Sequence, residues 1–390
     1  MKNKKSTLVI QWPRFGPYHI SRIKATATLF HTHNIKVIGL ETACSDETYQ
    51  WREESGSYNF ERYVAFPEGY PEKIDLMEGW FRFRELLSNI RPDVIAVNGY
   101  SSRDSQALVG WCKLNHCPAI LMFESKFDDY SRTAWKEFGK RLIVSQYKAG
   151  LCGGKLQRSY LEQLGMKSIR IFEGYDVVDN DYFYKEAIYV RDNPGEFNYL
   201  PGLESTSPFF LASSRFIRRK NIHRLLEAYG EYREHCKSVK IYPFRLVILG
   251  DGEERMKLEG IIIDRSIESV TLAGFRQINE LPAYYGQARL FIHPALQDQW
   301  GLVVNEAMAS GLPVIVSRRC GCVPDLVREG VNGFTFDPEN INELVNLMVL
   351  CSSGTLDLSI MGDSSYSHIC NWGLERFAEG MYQAFKVALN

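Results

Sequence analysis

The chain has 390 residues, enough for two domains of ordinary size. Its 46 Lys and Arg against 47 Asp and Glu leave a formal net charge of −1, which excludes the broad basic footprint of a nucleic-acid-binding protein. A hydrophobic fraction of 45% implies a well-filled core, and nine scattered Cys in so long a chain argue for reduced thiols in the cytoplasm rather than disulfide staples.

The N-terminus, MKNKKSTLVIQWP, places lysines before an apolar patch that is too short for a signal peptide and stops at Pro13. No stretch reaches the length of a transmembrane helix. Short apolar runs then alternate with amphipathic stretches, the pattern of parallel sheets with crossover helices. In the first half TLVIQW (7–12), NIKVIGL (34–40), DVIAVNG (93–99), AILMFES (119–125) and RLIVSQ (141–146) read as strands. Residues 19–33, 78–90, 102–115 and 155–164 read as helices. After the first strand, Gly16 and Pro17 form a tight turn and a helix begins near Tyr18 or His19. Two roles stay open for His19, binding a ligand hydroxyl or capping and packing the helix start. The aromatics Trp12, Tyr18, Trp80 and Phe81 suit stacking on a ligand and core packing equally well. SRTAWKEFGKR (131–141) sets Trp135 and Phe138 at i, i+3 among four cations. An ordinary surface helix is the better reading, with a helix lying on an anionic membrane as the alternative. CGGK (152–155) reads as a plain turn before a helix, an anion nest being the other choice. Residues 186–206, rich in Pro, Gly and Ser and without either period, read as a linker between domains at 1–185 and 207–371.

A second strand series follows: FFLASS, FRLVILG, SVTLAG, RLFIHP and LPVIVS. Arg215 and Lys220 come just after its first member, at a spacing that spans a loop and suits two cations converging on one anionic group. A solvated basic surface is the plain alternative, since Arg218 and Arg219 lie beside them. Gly250-Asp251-Gly252 reads as a tight turn with Asp251 capping the helix EERMKLEGI, and the same turn can face a ligand at Gly250. The stretch 291–311, FIHPALQDQWGLVVNEAMASG, is the most informative. His293-Pro294 reads as the end of a strand, a polar loop holds Asp298, and Glu306 follows eight residues later. If the chain is helical from about 302, Leu302 and Glu306 lie one turn apart. The N–H groups from Trp300 to Val303 then point into the loop, an arrangement that suits a phosphate. Gly301 lets the backbone approach a ligand closely. Asp298 and Glu306 can accept hydrogen bonds from the hydroxyls of a sugar and a ribose, with a cap or turn as the plain reading of Asp298. Together these features read as a nucleotide-sugar site. Cys320 and Cys322 have no second Cys or His pair to complete a zinc site, and no metal is expected.

The D-x7-E pattern followed by AMASGLPVIVS resembles the acidic motif of retaining glycosyltransferases of family 4, enzymes of the GT-B fold. FLASSRFIRRKN (210–221), LVILGDGEE (246–254) and VTLAGF (270–275) precede it and GCVPDLVREGVNGFTFD (321–337) follows, all in the family's order. The resemblance implies an α/β GT-B protein, two Rossmann-like doubly wound domains facing across a cleft. It gives 1–185 to the acceptor, 207–371 to the nucleotide-sugar, and sends a last helix, 372–390, back to the N-terminal domain. It implies transfer of a sugar from a UDP- or GDP-linked donor to a hydroxyl of a sugar, lipid-linked sugar or small molecule. The expected setting is polysaccharide, oligosaccharide or glycoconjugate assembly in the cytoplasm, including the inner face of the membrane. Retention of configuration and independence of metal or other cofactors belong to the same expectation.

By resemblance Arg215 and Lys220 meet the departing pyrophosphate, Glu306 holds the ribose and Asp298 contacts the transferred sugar. Gly16, Gly250, Phe275, Arg276, Trp300, Gly301, Leu302 and Val303 line the donor, with the base near Phe275 and Arg276. Two departures stand out. Asp298 replaces the usual glutamate and is one methylene shorter, so the sugar contact shifts or passes through water. MFESKFDDY lacks the histidine that many members carry there, which leaves Glu124, with His19, as the acceptor-side candidates. A nucleotide-sugar epimerase of the same fold and a non-catalytic nucleotide-sugar-binding protein are the alternatives.

Overall fold

A computed structural model describes residues 5–45, 51, 57–130 and 132–390. The lysine-rich opening at 1–4 and Ser131 of the basic stretch lie outside these residues. The chain divides into two compact units, Met1–Val178 with Trp372–Asn390, and Asp179–Asn371.

The first unit begins β1 (Ser6–Trp12), α1 (Pro17–Thr32), β2 (Ile35–Ala43), β3 (Glu61–Phe66), α2 (Leu76–Ile90) and β4 (Val94–Asn98). It continues α3 (Arg103–Leu114), β5 (Ala119–Phe123), α4 (Ala134–Val144), β6 (Ala149–Cys152), α5 (Lys155–Gln163) and β7 (Ile171–Glu173). The strands pair in parallel in the order β3-β2-β1-β4-β5-β6-β7. Leu8, Val9, Ile10, Ile120 and Leu121 are fully buried, because a parallel sheet covered on both faces needs apolar side chains on both.

RLIVSQ, expected as a strand, is the last turn of α4 and the residues after it. A short apolar run serves a helix or a strand equally, and here it continues the helix that starts at Ala134. The strand is AGLC, whose Ala and Gly carry little strand signal of their own. The short edge strands β3 and β7 also escaped the sequence pattern: one is half polar and exposed, the other only three residues long.

The second unit begins α6 (Asn180–Asp192), β8 (Phe209–Ser213), α7 (Ile222–Val239), β9 (Arg245–Leu249), α8 (Arg255–Asp264), β10 (Val270–Gly274) and α9 (Leu281–Gln287). Then come β11 (Leu290–His293), α10 (Leu302–Ala309), β12 (Val314–Ser317), α11 (Val323–Leu326), β13 (Gly333–Phe336), α12 (Ile341–Ser352) and α13 (Leu358–Ile369). Its strands are parallel in the order β10-β9-β8-β11-β12-β13. Helix α14 (Leu374–Leu389) belongs to the first unit, where Phe385 meets Phe30 of α1 edge-on at 5.4 Å between ring centroids.

The linker expected at 186–206 needs correction. Its first residues are the C-terminal half of α6, and the segment packs into the second unit. Phe183, Ala187 and Val190 bury one narrow stripe of that helix, and Leu200 and Leu203 are buried beyond it. The polar residues between these apolar ones hid the helical period.

In each sheet the strand order reverses beside the first strand: β1 lies between β2 and β4, and β8 between β9 and β11. The loops leaving the carboxyl ends of the two central strands diverge there, and open α/β sheets bind ligands in the crevice this creates.

Candidate functional site

In the second unit that crevice lies between the loop after β8 and the loop after β11. Backbone hydrogen bonds and one side chain stitch the two loops together. Leu296 N–H donates to the Arg219 carbonyl at 2.8 Å, and the Asn221 amide donates to the carbonyls of Pro294 and Pro338, each at 3.0 Å. Lys220 sits between these anchors. The β8 loop is also supported by the Gly-Asp-Gly turn. Gly250 has φ +126°, and a Cβ there would lie 1.8 Å from the Ser214 carbonyl oxygen. Phe216 N–H donates to the Asp251 carbonyl at 2.8 Å, and Glu254 N–H returns to the Phe216 carbonyl at 3.0 Å. Gly250 therefore shapes the loop that carries Arg215. Asp251 does not cap α8 as expected: its carboxylate accepts from Gly252 N–H at 2.8 Å, and the helix starts only at Arg255.

Lys220 Nζ lies 2.5 Å from Asp298 Oδ2, and His293 Nε2 lies 2.8 Å from the same oxygen. The lysine comes from the β8 loop, the histidine from the end of β11, and the carboxylate from the loop between β11 and α10. That loop is clamped from outside, Gly321 N–H donating to the Asp298 carbonyl at 3.1 Å and Cys322 N–H to the Trp300 carbonyl at 3.2 Å. Asp298 is 8% exposed and His293 fully buried. Burial alone raises the Asp298 carboxyl, but the Lys220 ammonium and the His293 hydrogen bond outweigh it and hold it well below the usual carboxylate range. Burial lowers His293, against the pull of Asp298, so the ring is neutral and donates through Nε2–H. Its Nδ1 is buried without a partner. His293 ends a strand, as its sequence implies, and is also the second donor to Asp298. The available signal for that second role was a histidine five residues before the loop acid, on the strand that feeds the loop.

Gly301 has φ +103° and begins α10; a Cβ on it would stand 3.4 Å from His293 Nε2 and 3.7 Å from Asp298 Oδ2. The N–H groups of Leu302 and Val303 are in the first turn of α10 and have no acceptor within the helix. The Trp300 indole turns inward and donates to Asn305 Oδ1 at 2.8 Å. One turn into the helix, buried Glu306 accepts from the Tyr285 hydroxyl at 2.7 Å. Tyr285, on α9, is a residue that sequence reasoning missed, and nothing in the chain near it signals the pairing.

Arg215 is partly buried on the β8 loop, and Phe275 and Arg276 follow β10. The Arg276 guanidinium serves its own loop: it meets Glu280 at 3.2 Å, donates to the Ala273 carbonyl, and lies over the Tyr284 ring.

Gly16, His19 and Glu124 belong to the first unit. His19 Nδ1 accepts from Gly16 N–H at 3.0 Å, and its ring packs 4.8 Å from that of Trp12, so the capping role is present. Burial and the Arg22 charge push His19 down to about 3, leaving it neutral with Nε2–H as its donor. Trp12 is a core residue whose indole donates to the Tyr175 hydroxyl at 2.7 Å, and Asn98 donates to that oxygen at 2.6 Å. Glu124, partly buried at the end of β5, adds its charge to the burial that raises Tyr175. In CGGK the Gly154 N–H is taken by Gln157 Oε1 at 3.1 Å, as in a plain turn. Among the described residues no three His, Cys, Asp or Glu side chains gather as a metal cluster, and no helix is long and apolar enough to cross a membrane.

Comparison with known proteins agrees with this fold. The uncharacterized glycosyltransferase MJ1178 of Methanocaldococcus jannaschii is 25% identical over 195 residues, 50% of this chain and 46% of its own. The chain thus spans about half the length of that relative. Sucrose-phosphate synthase from Thermosynechococcus elongatus superposes with a TM-score of 0.75 at 19% identity, covering 98% of each chain. Anabaena Alr3699/HepE, solved in complex with UDP-glucose, gives a TM-score of 0.70 at 16% identity over 97% of this chain and 99% of its own. Both likenesses are of fold, the GT-B pairing of two Rossmann-like units. Residues 201–353 match the family described as glycosyl transferases group 1.

Proposed function

We propose that this protein transfers a sugar from a UDP- or GDP-linked donor to an acceptor hydroxyl, with retention of configuration and without a metal ion. One observation carries the reading: Lys220, Asp298 and the start of α10 meet at the strand-order reversal of the second sheet, with Glu306 one turn away. A diphosphate takes the free first-turn N–H groups of Leu302 and Val303 and shares Lys220 with Asp298. Arg215, on the same loop as Lys220, adds a second cation. Glu306, oriented by Tyr285, accepts from the ribose hydroxyls, and Asp298 accepts from a hydroxyl of the transferred sugar. In the reaction the acceptor oxygen bonds to the anomeric carbon as the carbon–oxygen bond to the phosphate breaks, and the acceptor proton passes to a phosphate oxygen. Cations fixed where that negative charge develops stabilise the transition state more than the ground state. The complex of Anabaena Alr3699/HepE with UDP-glucose favours UDP over GDP as the first nucleotide to try.

The test is binding and slow hydrolysis of UDP-, GDP- and ADP-sugars with EDTA present, the anomer released being read by NMR. One donor bound and hydrolysed to the retained anomer supports the reading. Binding without turnover assigns the chain to nucleotide-sugar binding instead. Epimerised nucleotide sugar assigns it to the epimerase alternative.

A further inference from the structure

Helix α4 carries apolar side chains on two faces, one packed inward and one turned out. Its inner face carries Glu137, Lys140 and Val144. Val144 is buried, and Glu137 accepts from the Tyr160 hydroxyl at 2.9 Å and from Lys140 at 2.7 Å. Its outer face carries Trp135, Phe138 and Leu142, at i, i+3 and i+7, exposed to 86%, 57% and 55%. A surface helix normally turns its apolar stripe to the core and its charges to water. Here Ile143 and Val144 pack inward beside an ion pair, and a second apolar stripe faces out. Lys136 and Arg141 are exposed, form no ion pair among the described residues, and flank the stripe on either side. Just before the helix, Phe127 and Tyr130 add two more exposed aromatic rings.

We propose that α4 docks on an anionic lipid surface, with Trp135, Phe138 and Leu142 entering the headgroup region and Lys136 and Arg141 meeting lipid phosphates. Charge complementarity selects this occupant. The one carboxylate of the helix, Glu137, is turned inward, paired with Lys140 and hydrogen-bonded by the Tyr160 hydroxyl, so no carboxylate of α4 lies on its outer face. Tryptophan favours the boundary between headgroups and acyl chains, where its ring is buried and its N–H stays wet. A second copy of the chain fits less well, because a two-fold contact brings Lys136 and Arg141 of both copies together. The inference is independent of the sugar-transfer reading.

The experiment is co-sedimentation of the full chain with vesicles of phosphatidylcholine alone and of phosphatidylcholine with phosphatidylglycerol, at low and high salt. Wild type should sediment with the anionic vesicles, release at high salt, and leave the neutral vesicles mostly free. Trp135→Ser with Phe138→Ser removes exposed side chains only, so its circular dichroism and melting should match wild type while partitioning falls about tenfold or more. Lys136→Glu with Arg141→Glu should weaken anionic binding by at least as much and abolish its salt dependence. Folded wild type that ignores anionic vesicles overturns the proposal, as does binding unchanged in both double variants. So does a dimer in light scattering that the Trp135→Ser, Phe138→Ser variant loses, which assigns the face to a second copy.

Discussion

Lys220→Met keeps most of the side-chain stem and removes the charge, and the structure attaches two separate costs to it. The first is chemical. In the proposed reaction the departing diphosphate loses one of its fixed cations, which costs about 3 kcal/mol of barrier, or about a hundredfold in turnover. The second is a folding cost that the sequence by itself does not suggest. Asp298 is 8% exposed and its Oδ2 has two donors, Lys220 at 2.5 Å and His293 at 2.8 Å. A fully unpaired buried charge costs about 3–5 kcal/mol. A hydrogen bond to a charged group is worth about 1.5–3 kcal/mol, and His293 remains in place, so the loss should be about 2 kcal/mol.

Urea unfolding at neutral pH and initial rates of nucleotide-sugar hydrolysis separate the two. Asp298→Asn supplies the control, because an amide needs no cation. The double variant Lys220→Met, Asp298→Asn should be more stable than the two single losses added together, by about 1–2 kcal/mol, while turnover stays low. Additive stabilities would show that the ion pair does not form in solution. Turnover unchanged in Lys220→Met would remove the lysine from the chemistry, whatever happened to stability.

Other substitutions test the surroundings of this pair. Tyr285→Phe deletes the hydroxyl that donates to buried Glu306 at 2.7 Å; UDP affinity by calorimetry should fall about tenfold, and unfolding should cost about 1.5–3 kcal/mol less. Equal affinity would detach Glu306 from nucleotide binding. Gly250→Ala drives a Cβ to 1.8 Å from the Ser214 carbonyl at φ +126°, so it should cost about 3 kcal/mol or more in unfolding experiments and weaken UDP binding through the displaced Arg215 loop. His19 gives a pH dependence. Its folded value is lowered from 6.5 to about 3, so the unfolded chain takes up the proton first; stability is complete above 6.5 and declines as pH falls from 6.5 towards 3. His293, also lowered, acts in the same direction. His19→Gln keeps an acceptor for Gly16 N–H and should flatten that acid decline in thermal melts without loss at neutral pH; a slope identical to wild type would place the titration elsewhere.

The chain's architecture was readable where burial leaves a one-dimensional trace. The inner strands of both sheets are continuous apolar runs, and Gly301 and Asp298 stand where a helix start and a loop acid can be recognised from neighbours alone. Elements that depend on partners far along the chain were not readable. AGLC becomes a strand because β5 and β7 lie on either side of it, not because Ala and Gly prefer that state. Helix α6 hid behind polar residues because its buried stripe is narrow, and α9 supplies the surface that the stripe covers. The site follows the same division. Lys220 and Asp298 are 78 residues apart and meet only because β8 and β11 are neighbours in the sheet, with β9 and β10 on the other side of β8.

The short acid at 298 shows what this pairing adds. From the sequence it is a departure, a carboxylate one methylene short of the family's glutamate. In the fold its single oxygen Oδ2 is reached by both Lys220 and His293, beside a glycine whose missing Cβ leaves room for the three groups. A glutamate would set its carboxylate one methylene further out, while His293 is held fully buried at the end of β11. The aspartate and the buried histidine therefore make one arrangement. The shorter side chain gives up reach towards a ligand, and two donors hold it ionised and in place.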